Sequence, residues 1–202
     1  MRKPLRIGVT GGIGSGKSLI CRIFAAFQVP IYDADAMAKK LMTSDSMLAD
    51  QIKKQFGESS YHLDGSLNRE YLSKEVFNSS IKLEKLNQLV HPRVAADSEN
   101  WIEGNNGFPY VVKEAALLFE AGSYRGLDKI IVVTAPERLR IQRVLNRDGS
   151  RQEEDVKKII RAQMADEEKI KRADFVILND ETELVVPQVL KLHERFIAYL
   201  AR

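Results

Sequence analysis

Gly11-Gly12-Ile13-Gly14-Ser15-Gly16-Lys17-Ser18 stands between an apolar run, Leu5–Thr10, and a helical pattern, Leu19–Phe27. The segment fits G-x-x-x-x-G-K-[ST]. Its glycines permit a turn tight enough for successive backbone N–H groups to converge on one anion. The helix that follows presents its N-terminus to the same point. Lys17 can reach the β- and γ-phosphates of a bound nucleotide, and Ser18 can offer its hydroxyl to Mg²⁺. The order strand, loop, helix confines the chain to folds in which a buried strand delivers a loop to a helix start. The loop implies a nucleoside triphosphate and leaves its fate open.

Further apolar runs at Val29–Tyr32, Tyr110–Val112, Ile130–Thr134 and Phe175–Leu178 read as strands separated by helical patterns. That alternation predicts an α/β fold with a mostly parallel, five-stranded sheet between helices. Ligands of such sheets bind at the carboxyl ends of the strands. The long interval between the second and third runs carries helical patterns at Ala34–Leu41, Met47–Phe56, Asn68–Phe77 and Ile81–Trp101, with a polar turn near Ser59–Ser66. It predicts a helical insertion suited to acceptor specificity. A second insertion, Glu137 to Lys171, is charged, largely helical and broken at Asp148-Gly149-Ser150. It reads either as a mobile lid or as a solvated hairpin. The tail, Leu184 to Leu200, carries an apolar stripe of Leu184, Val185, Val189, Leu192, Phe196 and Leu200 that predicts a helix packed on the sheet.

Composition narrows the class. At 202 residues, 44% hydrophobic and 29% charged, the chain can bury one good core. A net charge of +3 suits an anionic small molecule and is too weak to argue for nucleic acid. No apolar run reaches the length of a membrane span. Met1-Arg2-Lys3-Pro4 leads straight into the first strand, so no signal peptide is expected. A single cysteine, Cys21, excludes an internal disulfide and reads as a buried structural thiol. The expected location is cytoplasmic. Oligomeric state is left open.

The strand ends supply candidate chemistry. Asp33-Ala34-Asp35 follows the second strand, where capping a helix needs only one carboxylate. The other can take a proton from an attacking hydroxyl or hold Mg²⁺ through water. Glu114, after the third strand, stands where an acidic residue helps to position Mg²⁺. Arg138, Arg140, Arg143 and Arg147 recur along one helix, and Arg143 and Arg147, four apart, share a face that can neutralise phosphoryl charge. The competing reading pairs these arginines with Glu153, Glu154 and Asp155 in solvent. His91, followed by Pro92, has no metal-ligand spacing around it and reads as a hydrogen-bonding residue of the first insertion.

Taken in order, these segments resemble the dephospho-coenzyme A kinase family. The resemblance rests on Gly8–Ser18, Asp33-Ala34-Asp35, Asp64-Gly65 with Arg69 and Leu72, His91-Pro92, and Leu117-Leu118-Phe119-Glu120. It continues through Arg143-x-x-x-Arg147-Asp148-Gly149 to Gln163, and through Ala173 to Asp180. It implies a three-layer P-loop nucleotide-kinase fold. The core would be residues 1–33, 108–136 and 172–202, the dephospho-coenzyme A-binding domain 34–107 and the lid 137–171. It implies transfer of the γ-phosphoryl of ATP to the ribose 3′-hydroxyl of dephospho-coenzyme A, the last step of coenzyme A synthesis. By the same resemblance Lys17, Asp35 and Arg143 are catalytic. Gly12, Ile13, Gly14, Ser15, Gly16, Lys17, Ser18, Leu19, Arg147 and Asn179 bind ATP, with Asn179 beside the adenine. Asp33, Asp35, Arg69, His91 and Arg93 meet the acceptor, and Ser18 and Glu114 hold Mg²⁺. Departures from the family pattern are Leu19 where a second hydroxyl residue is frequent, Ala116 where proline is usual, and Glu114 where aspartate is common.

Three rivals remain at this level, one of them a nucleotide-binding protein without catalysis, against which the retained Lys17, Ser18, Asp35 and arginines argue. A kinase for another small acceptor would share the core and differ in the first insertion. A GTP-driven switch would carry Asn-Lys-x-Asp, and no such tetrapeptide occurs.

Overall fold

The computed structural model describes residues 3–77 and 79–199. The backbone divides into two compact units, one running up to Asp33 and resuming at Ile102, the other spanning Ala34–Trp101.

The first unit holds strands β1 (Leu5–Thr10), β2 (Ile31–Asp33), β3 (Tyr110–Glu114), β4 (Lys129–Thr134) and β5 (Phe175–Leu178). They form one sheet in the order β2-β3-β1-β4-β5, with every pairing parallel. All of β3 and most of β1 and β4 are buried, as expected of parallel strands covered on both faces. Parallel pairing brings Thr10, Asp33, Glu114, Thr134 and Leu178 to the same end of the sheet. Helices α1 (Lys17–Ala26) and α9 (Val185–Tyr199) bury Ile20, Phe24, Val189 and Phe196 against Ile7, Val9, Val112, Ile131, Val133 and Ile177. Each such side chain contributes about 2 kcal/mol relative to exposure. The stripe predicted for the tail packs through Val189, Leu192 and Phe196. Leu184 lies before the helix and is exposed, and Leu200 falls outside the described residues.

Four strand boundaries differ from the apolar runs: both ends of β2, the end of β3, and the start of β4, which lies one residue earlier at Lys129. The second strand starts at Ile31 because Val29 and Gln28 finish α1: their amides bond Phe24 O and Ala25 O, and Gln28 takes φ 62°. It extends to Asp33, paired in register with Glu114. The third strand runs on through Lys113 and Glu114, which places that carboxylate in the sheet itself. At the outer strand, the carboxamide of Gln188 accepts from Leu178 N at 3.0 Å and donates to Leu178 O at 2.9 Å.

Between β4 and β5 the charged segment folds into α6 (Glu137–Arg147), α7 (Glu153–Ala162) and α8 (Asp166–Lys171). The break at Asp148-Gly149-Ser150 is a turn in which Asp148 accepts from Ser150 Oγ and Arg151 Nε. Glu153, Glu154 and Asp155 pair with Lys157 and Lys158, not with the arginines of α6. Ile141, Val144 and Val156 form a small apolar cluster joined by Ile13 of the glycine-rich loop.

The second unit carries α2 (Ala34–Ser44), α3 (Ser46–Phe56), α4 (Arg69–Phe77) and most of α5 (Ser80–Gly104). It buries Leu48, Ile52, Phe56, Tyr61, Leu72, Val90 and Val94. Asp45 caps α3 by accepting from Leu48 N, and the Tyr61 hydroxyl donates to Met42 O at 2.6 Å. Pro92 lies inside α5.

Candidate active site

The glycine-rich loop joins β1 to α1 at the carboxyl end of the sheet. Gly14 and Gly16 adopt φ of 78° and 96°, a region that side chains avoid. A Cβ at Gly14 would run into the backbone of Arg140, and one at Gly16 into the amide nitrogen of Asn179. No side chain caps α1 and its first turn holds no acid, so the positive end of the helix is left for an anion. Lys17 Nζ donates to Gly11 O at 2.9 Å and reaches Gly12 O at 3.4 Å. Ser15 Oγ is buried without a hydrogen-bond partner. Leu19 is exposed, so its departure from the family pattern changes nothing that packs on the loop.

Ser18 Oγ donates to Glu114 Oε1 at 3.0 Å. Glu114 is buried, and burial pushes its carboxyl above the ordinary range, with Asp33 adding to the rise and Ser18 opposing it. The buried Cys21 thiol is raised by burial and by the charge of Glu114, to which it also hydrogen-bonds, and stays protonated as a structural group. A hydroxyl and a carboxylate at this spacing are hard oxygen donors of the kind Mg²⁺ takes alongside phosphate and water.

The arginines of α6 separate. Arg143 Nη2 donates to Glu181 Oε1 at 3.2 Å and lies 3.5 Å from Asn179 Oδ1, while its Nη1 is buried without a partner. Asn179 is buried, and its Nδ2 donates to Ser15 O at 2.8 Å, so its side chain braces the loop. Arg147 is exposed at the end of α6. Arg140, which spacing did not single out, is 4% exposed and donates through Nε to Ile13 O at 2.9 Å. The Ile13 amide donates to Gln163 Oε1 at 2.9 Å, so both polar groups of that peptide residue face the 137–171 segment. Glu120 accepts from Met164 N at 2.9 Å and pairs at 3.4 Å with Lys169, whose side chain is fully buried. The Leu117-Leu118-Phe119-Glu120 motif therefore buries Leu118 and Phe119 and anchors the approach to α8.

In the helical unit Asp35 is exposed in the first turn of α2. His91 is half-buried, and burial lowers its imidazole below the ordinary 6.5, with Asp35 pulling the other way. Arg93 Nε is bonded to Asp45 Oδ2 at 2.5 Å, which ties it to the α3 cap. Arg69 is exposed at the start of α4. Because His91 is neutral in the fold, stability is expected to fall as pH drops from about 6.5 through the folded value, where the imidazole must be charged. Nuclear magnetic resonance titration should place the His91 midpoint below 6.5; a midpoint above it contradicts the buried environment.

A family model described as dephospho-CoA kinase matches residues 5–184. A dephospho-CoA kinase of Bacteroides fragilis is 36% identical over 188 residues, covering 93% of this chain and 91% of its own. A solved protein of Thermus thermophilus superposes with a TM-score of 0.84 at 33% identity, over 96% of this chain and 98% of its own. The dephospho-CoA kinase of Campylobacter jejuni superposes with a TM-score of 0.71 at 26% identity, over 96% and 97%.

Proposed function

The chain belongs to the dephospho-CoA kinase family, and from that premise we infer that it transfers the γ-phosphoryl of ATP to the ribose 3′-hydroxyl of dephospho-coenzyme A. The observation that carries this reading is a pair of buried donors left unpartnered around one glycine-rich loop, Ser15 Oγ and Arg143 Nη1. Buried donors are normally satisfied, and phosphate oxygens supply the acceptors these two lack.

Phosphoryl transfer asks for alignment and charge neutralisation more than covalent chemistry. Lys17 leaves the loop carbonyls for the β- and γ-phosphate oxygens. Arg143 turns Nη1 to the transferring group. Asp35 accepts the proton of the acceptor hydroxyl, with Asp33 in support. Ser18 and Glu114 would hold Mg²⁺, which supplies charge neutralisation between the phosphates. Residues 34–107, with Arg69, His91 and Arg93, take the dephospho-coenzyme A side. Residues 137–171 form the lid that excludes water, with Arg147 closing on ATP and Asn179 beside the adenine. The acceptor is a small molecule rather than a nucleic acid, and the reaction belongs in the cytoplasm.

Incubation with ATP, Mg²⁺ and dephospho-coenzyme A should give ADP and phosphorylated acceptor together. Equal ADP release without the acceptor, or phosphorylation of nucleosides in preference to it, contradicts the assignment. Asp35→Asn should lower kcat about a hundredfold with little change in the Kd for ATP, as loss of a general base predicts. A normal kcat removes Asp35 from that role.

A further inference from the structure

We infer that Arg140 is a positioning residue for the phosphate loop, fixing the Ile13 peptide so that the 137–171 segment sets the shape in which the loop meets ATP. This rests on the proposed role of the loop as the ATP cradle. Arg140 Nε donates to Ile13 O at 2.9 Å, and Nη1 is bonded to Asp166 Oδ2 at 2.5 Å. Thr134 Oγ1, at the end of β4, approaches the same Asp166 oxygen at 3.4 Å. The loop is therefore held from α6 through Arg140, while Asp166 at the start of α8, itself approached by Thr134 at the end of β4, holds the guanidinium.

Three contacts in all converge on Ile13. Its amide donates to Gln163 at the end of α7, its carbonyl accepts from Arg140, and its side chain joins the apolar cluster of Ile141, Val144 and Val156. The loop is shaped to receive this grip. A Cβ at Gly12 would strike the Arg140 guanidinium, and one at Gly14 would strike the Arg140 backbone. The absence of side chains at both positions makes room for Arg140 as well as for phosphate.

Nε and Nη1 of Arg140, which is 4% exposed, are taken by protein oxygens and are not available to phosphate, while Nη2 lies against Gly12. Nor is net stability a sufficient reason to keep Arg140, since buried ion pairs often do no better than apolar replacements. A planar fork does what an apolar side chain cannot: it bonds a loop carbonyl and a helix carboxylate in one fixed geometry. A displacement of α6 or α8 is thereby felt at Ile13, between Gly12 and Gly14.

Calorimetric titration of the 202-residue chain with ATP in Mg²⁺ tests this. Arg140→Ala should weaken ATP binding about tenfold to a hundredfold, the range expected for a lost charge-assisted hydrogen bond. Arg140→Lys keeps the charge but not the fork, and should stay well below wild-type affinity. Asp166→Asn keeps the shape and frees the guanidinium, and serves if Arg140→Ala does not fold. It should weaken binding about threefold or more. In the double variant Arg140→Ala with Asp166→Asn, the losses should not add, because both act through one link. A merely structural role would lower Tm and leave the Kd for ATP unchanged; that result, or wild-type affinity in Arg140→Lys and Asp166→Asn, overturns the assignment. Failure of the wild-type chain to bind ATP would overturn the cradle itself, and this role with it.

Discussion

Lys17→Ala is expected to cut turnover about a thousandfold while the protein stays folded, the scale set by removing a preorganised charge donor. The amine rests on the carbonyls of Gly11 and Gly12, and losing those contacts costs the ligand-free loop about 1.5 kcal/mol. The sheet core of Ile7, Val9, Ile131 and Val133 is untouched by that loss. Thermal unfolding should therefore move by a few degrees at most, while single-turnover phosphoryl transfer collapses. A variant with near-normal turnover would remove Lys17 from the chemistry. One that loses turnover only by unfolding would make the residue structural.

Arg143→Ala should cost about a thousandfold or more in kcat, as for other arginines that meet a transferring phosphoryl group. The ground for this is geometric. One terminal nitrogen is held near Asn179 and Glu181 while the other is buried without an acceptor. A guanidinium so held has one donor fixed and one spare, and in the proposed role the spare donor would stabilise charge as it develops. The KM for ATP should change far less than kcat. Arg143→Lys should recover only a small part, since an ammonium cannot keep the Glu181 bond and offer a second donor in the same plane. An equal loss in KM with kcat preserved would mean that Arg143 binds ATP without helping the transfer.

Much of the fold was legible because its signals are local. The apolar runs of β1 and β4 are short and dense, the trace a buried parallel strand leaves, and the run of β5 is as short although at the sheet edge only Ile177 is buried. The loop was legible because its backbone needs glycine at Gly14 and Gly16, where other residues are strained or collide. The start of β2 was not, because Val29 is apolar yet belongs to the exit from α1.

Arg140 shows why part of the site stayed hidden. It is one of four arginines in the same stretch, and spacing along the helix favours the pair Arg143 and Arg147. Its partners lie at Ile13 and Asp166, distant in sequence in both directions, and neither carries a mark that points to it. Lys169 was hidden for the same reason. In a run of charges it reads as surface, and its burial depends on Glu120, across the segment between two strands. Arg93, placed on the acceptor side by the family resemblance, also holds a contact that spacing did not show, from its Nε to Asp45 at the cap of α3.

Gln188 has a consequence at the rim of the sheet. Its carboxamide is a single peptide group in miniature, and at Leu178 it supplies the acceptor and the donor that a neighbouring strand would bring. β5 is therefore stoppered at its carboxyl end by its own chain. An extended segment of another molecule, arriving to lengthen the sheet, would first have to evict a side chain anchored on α9. A parallel sheet that assembles slowly from distant strands is open to such intruders while it forms, and this amide bars one end of the open rim once α9 has docked.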